Sequence, residues 1–167
     1  MLLWIPMILT IGCNSVNEDE AALVLNLCSE VFQDVQNEAI LIEDETVEFA
    51  VTQGASWEGS VMASGSRTVN TDTIVYPLSL SLVDVYSVDN DITLNGQLSF
   101  AMAYSIDPTD GVSYTIETNI DGDLEVEGDA KGLADLLLIM TRNYDANNDQ
   151  FDTQFSGTIG DIDASGL

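Results

Sequence analysis

The sequence predicts an α+β fold in which one N-terminal helix packs against the concave face of a strongly bent antiparallel meander sheet of about seven long strands. Two observations lead to this prediction. Apolar side chains recur at helical spacing between residues 21 and 36. From residue 46 onward they alternate with polar ones, as in a strand with one face on a core and the other in water. We therefore expect a single α+β domain over residues 21–167.

The predicted helix, residues 21–36, has one apolar stripe. Its members are Val24, Leu25, Leu27, Cys28, Val31, Phe32 and Val35. This spacing is typical of a helix that covers a core. Because Cys28 belongs to the stripe, we expect a buried, inert thiol there rather than a nucleophile.

Strands are predicted at residues 46–52 and 57–63, followed by a loop at residues 65–70. The alternation is strongest between residues 74 and 126, where apolar side chains occupy even positions. Polar stretches at residues 89–91 and 107–111 interrupt it and predict turns. Further turns at residues 128–132 and 145–150 complete the predicted sheet.

Asn95-Gly96 is a common dipeptide in hairpin turns. A turn there, however, would put Leu94 beside Gln97 and would mix apolar with polar side chains on each face of the sheet. We therefore place this dipeptide in mid-strand. Turns at residues 89–91 and 107–111 instead keep the apolar side chains on one face of the sheet and the polar ones on the other. The resulting pairs are Leu82–Leu98, Leu80–Phe100, Tyr76–Tyr104, Tyr104–Tyr114, Met102–Ile116, Leu98–Ile120 and Gly96–Gly122.

The last two turns extend this register, pairing Leu124 with Leu136, Tyr144 with Phe151 and Met140 with Phe155. One line across the sheet then contains Asp84, Gly96, Gly122, Leu138 and Gly157. Glycine inside a strand commonly marks a bulge or a bend, so we interpret this line as the fold line of the sheet. Asp84 is expected to be turned outward by a bulge, and the alternative is a functional buried carboxylate.

Residues 1–12 are uncharged and mostly apolar, a run shorter than the roughly 20 residues that a bilayer span needs. Its length fits the apolar region of a signal peptide. The following stretch, Leu9-Thr10-Ile11-Gly12-Cys13, resembles the lipobox of bacterial lipoproteins over about fifteen residues. Gly12 and Cys13 fit the pattern, whereas Thr10 replaces the usual aliphatic residue and basic residues are missing from the start. The alternative is an apolar N-terminal helix with a chance cysteine.

The resemblance implies that residues 1–12 are removed as a signal peptide and that Cys13 receives lipid, including palmitate. Residues 13–20 would then be an acidic tether. The expected location is the cell envelope, anchored to a bacterial membrane, the outer one, and facing the periplasm or the exterior.

The chain carries 29 acidic side chains against three basic ones, Arg67, Lys131 and Arg142, and its net charge is −26. This charge repels phosphate backbones, so nucleic acid is excluded as a partner. Histidine is absent, which removes the commonest general base and transition-metal ligand. With no recognisable catalytic motif, the chain is not expected to be an enzyme.

Asp145, Asn147, Asp149 and Asp152 set oxygen ligands at alternating positions, and in part resemble the calcium loops of EF-hands and dockerins. Gln150 and Ser156 stand where such loops have the turn glycine and the bidentate glutamate. The alternative is an Asn/Asp-rich hairpin turn. Apart from calcium at this loop, no cofactor is expected. Weaker acidic pairs are interpreted as solvated turns and strand faces: Asp107 with Asp110, and Asp121 with Asp123.

The sequence thus predicts a membrane-anchored bacterial lipoprotein with a non-enzymatic binding or structural role and no identifiable protein partner. The alternative is a carrier or acceptor of lipid or another apolar ligand in a half-barrel cavity. It rests on a resemblance, in architecture alone, to the unclosed barrels of periplasmic lipoprotein carriers and their acceptors. A pocket of roughly 300 Å³ or more under the helix distinguishes the two.

Overall fold

The computed structural model describes residues 15–109 and 111–167 and contains one long helix and a nine-stranded antiparallel sheet. The helix, α1, spans Glu18–Ile40. The strands are β1 Thr46–Gln53, β2 Trp57–Ser66, β3 Thr68–Val69, β4 Ile74–Ser87, β5 Ile92–Ile106, β6 Tyr114–Gly128, β7 Gly132–Asp145, β8 Gln150–Ile159 and β9 Ile162–Asp163. A short 3₁₀ turn, Ala164–Gly166, follows.

The α+β class is confirmed, but the described part of the chain has nine strands rather than seven. Seven strands have 8 to 15 residues, and two further strands, β3 and β9, have two residues each. The sheet order is β1-β2-β4-β5-β6-β7-β8-β9, with β3 paired to β4. The predicted loop at residues 65–70 is wrong in part, because β2 continues to Ser66 and Thr68–Val69 forms β3.

Helix α1 begins at Glu18, inside the segment predicted as an acidic tether, and is longer than predicted at both ends. A capping box fixes its start: the Asn17 side chain accepts from the Glu20 backbone, and the Glu20 side chain accepts from the Asn17 backbone. The three acids of its first turn interact favourably with the helix dipole. The whole predicted apolar stripe is buried, and Phe32 packs on Phe100 of β5 with ring centroids 5.5 Å apart.

The predicted register of the strands is confirmed in part. Asn95-Gly96 lies inside β5, and the β7–β8 pairs Tyr144–Phe151 and Leu138–Gly157 are as predicted. The pairs predicted for the three other hairpins are wrong by two residues. Leu80 pairs with Leu98, Met102 with Thr118 and Leu124 with Ala134. A shift of two keeps every side chain on its face, which is why the predicted core survives.

A bulge in β4 accounts for part of this shift. The β4–β5 register changes between Leu82 and Val85, and Asp84 has a φ of 50° and faces outward, as predicted. Its backbone N–H donates to the Asn95 side chain at 2.7 Å. Because the bulge inserts a residue, Val85 is buried, whereas Tyr86 and Val88, predicted to point inward, are exposed.

The predicted glycine line is wrong, because its members lie on three different rows. Gly96 faces Leu124, Gly122 faces Leu98, and only Gly157 has its predicted partner, Leu138. A Cβ at Gly96 would lie 2.9 Å from Leu124 Cδ2, and one at Gly122 would lie 3.1 Å from Leu98 Cδ2. The neighbouring leucines therefore fill the space that these glycines leave.

Candidate functional site

The interface between α1 and the sheet is filled by side chains. Large residues with essentially no exposed surface belong to the same buried cluster as the apolar stripe of α1: Trp57, Tyr76, Phe100, Met102, Ile116 and Ile120. A cleft of about 490 Å³ lies at the flank, between α1, β8 and the C-terminal turn, and polar groups such as Asn26, Ser29 and Gln154 line it. The middle of the interface is thus packed core, which leaves the predicted half-barrel cavity little support.

A buried polar cluster joins the second half of α1 to the sheet. The Arg142 guanidinium donates to Gln36 Oε1 at 2.9 Å and to Asn37 Oδ1 at 3.3 Å, and Gln36 donates to Thr118 Oγ1 at 2.8 Å. Arg142 is 4% exposed, and its Nε has no hydrogen-bond partner among the described residues. Burial lowers the pKa of the guanidinium, while Tyr114 and Asp34 act in the opposite direction.

Four aromatic rings continue this cluster toward the end of the sheet where β5 ends and β6 begins, and where β7 ends and β8 begins. Tyr114 lies 5.1 Å from Tyr104 and 5.0 Å from Tyr144, and Tyr144 lies 5.0 Å from Phe151, measured between ring centroids. The Arg142 guanidinium carbon is 4.5 Å from the centroid of the Phe151 ring, a cation–π contact. All four rings are partly exposed, so they lie at the boundary between the core and the solvent.

Beside these rings lies a cleft of about 720 Å³, which we call the turn-end cleft. Three separate chain segments build it. Its lining residues are Asp72, Thr73, Ser105, Ile106, Asp107, Pro108, Ser113, Tyr114, Thr115, Asn143, Tyr144, Asp145 and Asn147. Aromatic surface next to hydroxyl, amide and carboxylate groups is the mixture found in ligand sites.

The turn-end cleft is at the opposite end of the sheet from the start of the described chain. Ser15 forms a parallel bridge with Leu133, near the beginning of β7, whereas the cleft uses Asn143 and Asp145 at the end of that strand. Ten residues separate Leu133 from Asn143, which corresponds to roughly 33 Å of extended strand. The N-terminal segment and the cleft are therefore well separated.

The predicted calcium residues lie at the tip of the β7–β8 hairpin beside this cleft. Asp145 accepts from the Asn147 backbone at 2.8 Å, and Tyr144 donates to Asp149 at 2.9 Å. The Asn147 backbone hydrogen bond is the main cause that lowers the pKa of Asp145. Among the described residues, no group of three His, Cys, Asp or Glu side chains is arranged to hold a metal ion. This bonding is that of an Asx turn, the alternative interpretation, and the calcium site stays a prediction.

The chain has two cysteines, Cys13 and Cys28. Cys13, the predicted lipidation site, lies outside the described residues. Cys28 is fully buried on α1, and burial raises the pKa of its thiol to about 12, which agrees with the predicted inert role. In the portion that the structure describes, no helix is long and apolar enough to cross a membrane.

The buried cluster around Arg142 was not predicted from the sequence. The sequence does contain an indication of this cluster. Arg142 is a charged residue at an even, inward-facing position of β7, between Met140 and Tyr144. No family model, curated protein or solved structure matches the chain. A functional interpretation therefore rests on its own residues and geometry.

Proposed function

We propose that the chain is a lipoprotein of the bacterial cell envelope with a non-enzymatic binding role. In this proposal Cys13 carries the lipid, the outer membrane is the attachment site, and the turn-end cleft is the binding surface. The observation that carries it is the position of Ser15. It lies two residues after Cys13 and at the end of the sheet remote from the cleft.

This position matters because a lipid on Cys13 would hold the Leu133 end of β7 next to the membrane. The long strands would then direct the turn-end cleft away from the lipid surface, toward soluble ligands. The acidic surface supports this arrangement, since a net charge of −26 disfavours close contact with anionic headgroups. A covalent lipid is the attachment that such a surface permits.

A binding role suits the cleft better than catalysis. The Asp145 carboxylate accepts hydrogen bonds from Asn147 and Asn148, and its lowered pKa keeps it ionised, which is unsuitable for a general acid. The chain has no histidine to serve as a base near neutral pH. The carrier alternative has less support, because the packed side chains under α1 leave an apolar ligand little room.

The lipid anchor is tested by expressing the full chain in a bacterium fed with labelled palmitate. We expect label on the wild-type protein and on Cys28→Ala, the matched control at the buried thiol. Cys13→Ala should carry no label and should appear in the soluble fraction after lysis. Equal labelling of Cys13→Ala and wild type rejects the lipid attachment at this residue.

A further inference from the structure

The outer face of the sheet, opposite to α1, carries a row of acids along β6. These outward-facing side chains are all exposed: Glu117, Asp121, Asp123, Glu125 and Glu127. Side chains two residues apart on a strand are separated by about 6.6 Å, so the carboxylates form a ladder that Asn119 interrupts between Glu117 and Asp121. None of the three basic residues of the chain faces outward from β5, β6 or β7, because Arg67 and Lys131 lie outside these strands and Arg142 is buried.

An apolar groove lies directly beside this ladder, on β7. Leu137 is 62% exposed and Ile139 is 41% exposed, and both point toward solvent from the middle of β7. Leu137 pairs with Asp121, and Ile139 pairs with Asn119. The cleft around them has a volume of about 470 Å³, and we call it the outer groove.

Small side chains on the neighbouring strands give the outer groove its depth. Ser99 pairs with Asp121, and Ala101 pairs with Asn119, so both stand in the same two rows as Leu137 and Ile139. On the other side, Ser156 and Thr158 of β8 complete these rows. Leu137 and Ile139 therefore border a depression that small side chains such as Ser99 and Ala101 also line.

We propose that the outer groove is a docking site for a cationic amphipathic polypeptide segment. Its apolar side chains would cover Leu137 and Ile139, and its Lys or Arg side chains would meet Asp121, Asp123 and Glu117. Burial of the exposed aliphatic surface supplies the affinity, and the acidic ladder supplies the charge complementarity.

Charge selects this occupant over others. The carboxylate ladder repels an anionic or a phosphate-bearing partner. A neutral apolar partner would leave Asp121 desolvated beside Leu137 without a counter-charge, which is costly. The outer groove shares no residue with the turn-end cleft and includes neither Ser15 nor Leu133, so docking there does not depend on the proposed lipid anchor.

The test measures binding of a fluorescent peptide to the full chain by anisotropy. The probe is a helical Leu/Lys peptide of about 18 residues, or five turns, with its leucines on one face. A second peptide has the same composition but a scrambled order that destroys the apolar face. We expect the amphipathic peptide to bind at least about tenfold more tightly than the scrambled one.

Three substitutions of exposed apolar residues by serine locate the site without changing the net charge. Leu137→Ser and Ile139→Ser should each weaken binding by about tenfold, which corresponds to the loss of one buried aliphatic contact. Met62→Ser is the matched control, because Met62 is 55% exposed on β2, away from the groove. Asp121→Asn should weaken binding more at low salt than at high salt.

Amide chemical shifts of the full chain, recorded with and without the amphipathic peptide, provide a second measurement that needs no variant. We expect the largest changes around Ala101, Asn119, Ile139 and Ser156. Equal affinity for both peptides, or for Leu137→Ser and wild type, shows attraction by charge alone and overturns the proposal. Shift changes confined to other surfaces overturn it as well.

Discussion

Arg142 and Gln36 are 106 positions apart in the chain, and a buried hydrogen bond of 2.9 Å joins them across the helix–sheet interface. Gln36 in turn donates to Thr118, so one side chain of α1 connects β6 and β7. The cluster holds a buried cation by amide oxygens and by the face of the Phe151 ring. Together with the hydrogen bond of 2.8 Å from Trp57 Nε1 to Asp34, it fixes the position of α1 along a largely apolar interface.

Gln36→Leu should destabilise the fold by about 1–3 kcal/mol, because it removes an acceptor from a buried guanidinium. Arg142→Met added to Gln36→Leu should restore most of this loss, since an apolar pair needs no acceptor. Urea unfolding of the two single variants and the double variant gives the coupling energy. If the losses of unfolding free energy in the two single variants add up to the loss in the double variant, the two side chains do not act as a pair.

Gly96→Val should destabilise the fold by about 1–3 kcal/mol. The added side chain would collide with the Asp123 carbonyl and with Leu124 Cδ2, and Gly96 has a φ of +155°. Gln97→Val is the control, because Gln97 is the exposed neighbour on the same strand, and its effect should stay within about 0.5 kcal/mol. Thermal and urea unfolding measure both. Similar stability of the two variants contradicts the close approach of β6.

Asp84 adopts a φ of 50° at the bulge, a conformation that costs a β-branched residue roughly 1–2 kcal/mol. We expect Asp84→Val to destabilise the fold by about that amount, while Asp84→Gly should not. Asp84→Asn removes the same charge but tolerates the conformation, so it separates charge from backbone strain. If Asp84→Val and Asp84→Asn unfold at the same urea concentration, the bulge is not as described.

The Cys28 thiol should resist thiol reagents at pH 8 in the folded protein and react once urea unfolds it, because only the thiolate attacks. Burial raises its pKa from 9.0 to about 12. The folded state therefore keeps a proton that the unfolded state releases, and this contribution to stability is present below about pH 9 and lost as the pH rises toward 12. Cys28→Ala should show a weaker alkaline loss of stability. Rapid labelling of Cys28 itself in the folded protein, located by peptide mapping, contradicts the burial.

The alternation in the sequence was sufficient to predict which face of β5, β6 and β7 is buried, and that of β4 as far as its bulge. It could not determine the register, since a shift of two residues preserves every face. Only β7–β8 was predicted with its observed pairs, and the β4 bulge at Asp84 was expected but its effect on Tyr86 and Val88 was not. Loop lengths and bulges depend on interactions that periodicity does not contain.

The candidate site was less predictable than the fold. Three segments that are distant in the chain, represented by Asp72, Asp107 and Asp145, meet at the turn-end cleft, and each taken alone is an ordinary polar turn. The cluster around Arg142 likewise depends on a contact between a helix and a strand far apart in sequence. Such juxtapositions follow from the tertiary structure, and a single sequence does not display them.

The orientation of the proposed lipoprotein is tested by energy transfer to the membrane surface. The lipidated full chain is placed in vesicles that carry a headgroup acceptor, with a donor dye on Lys131→Cys or on Thr109→Cys. Lys131 is exposed beside the start of β7, and Thr109 is exposed in the loop next to the turn-end cleft. Transfer falls steeply with distance, so we expect it to be strong from position 131 and weak from position 109. The proposed orientation is contradicted if transfer is equal from the two positions or stronger from position 109. The lipid anchor itself is contradicted if the chain does not join the vesicles.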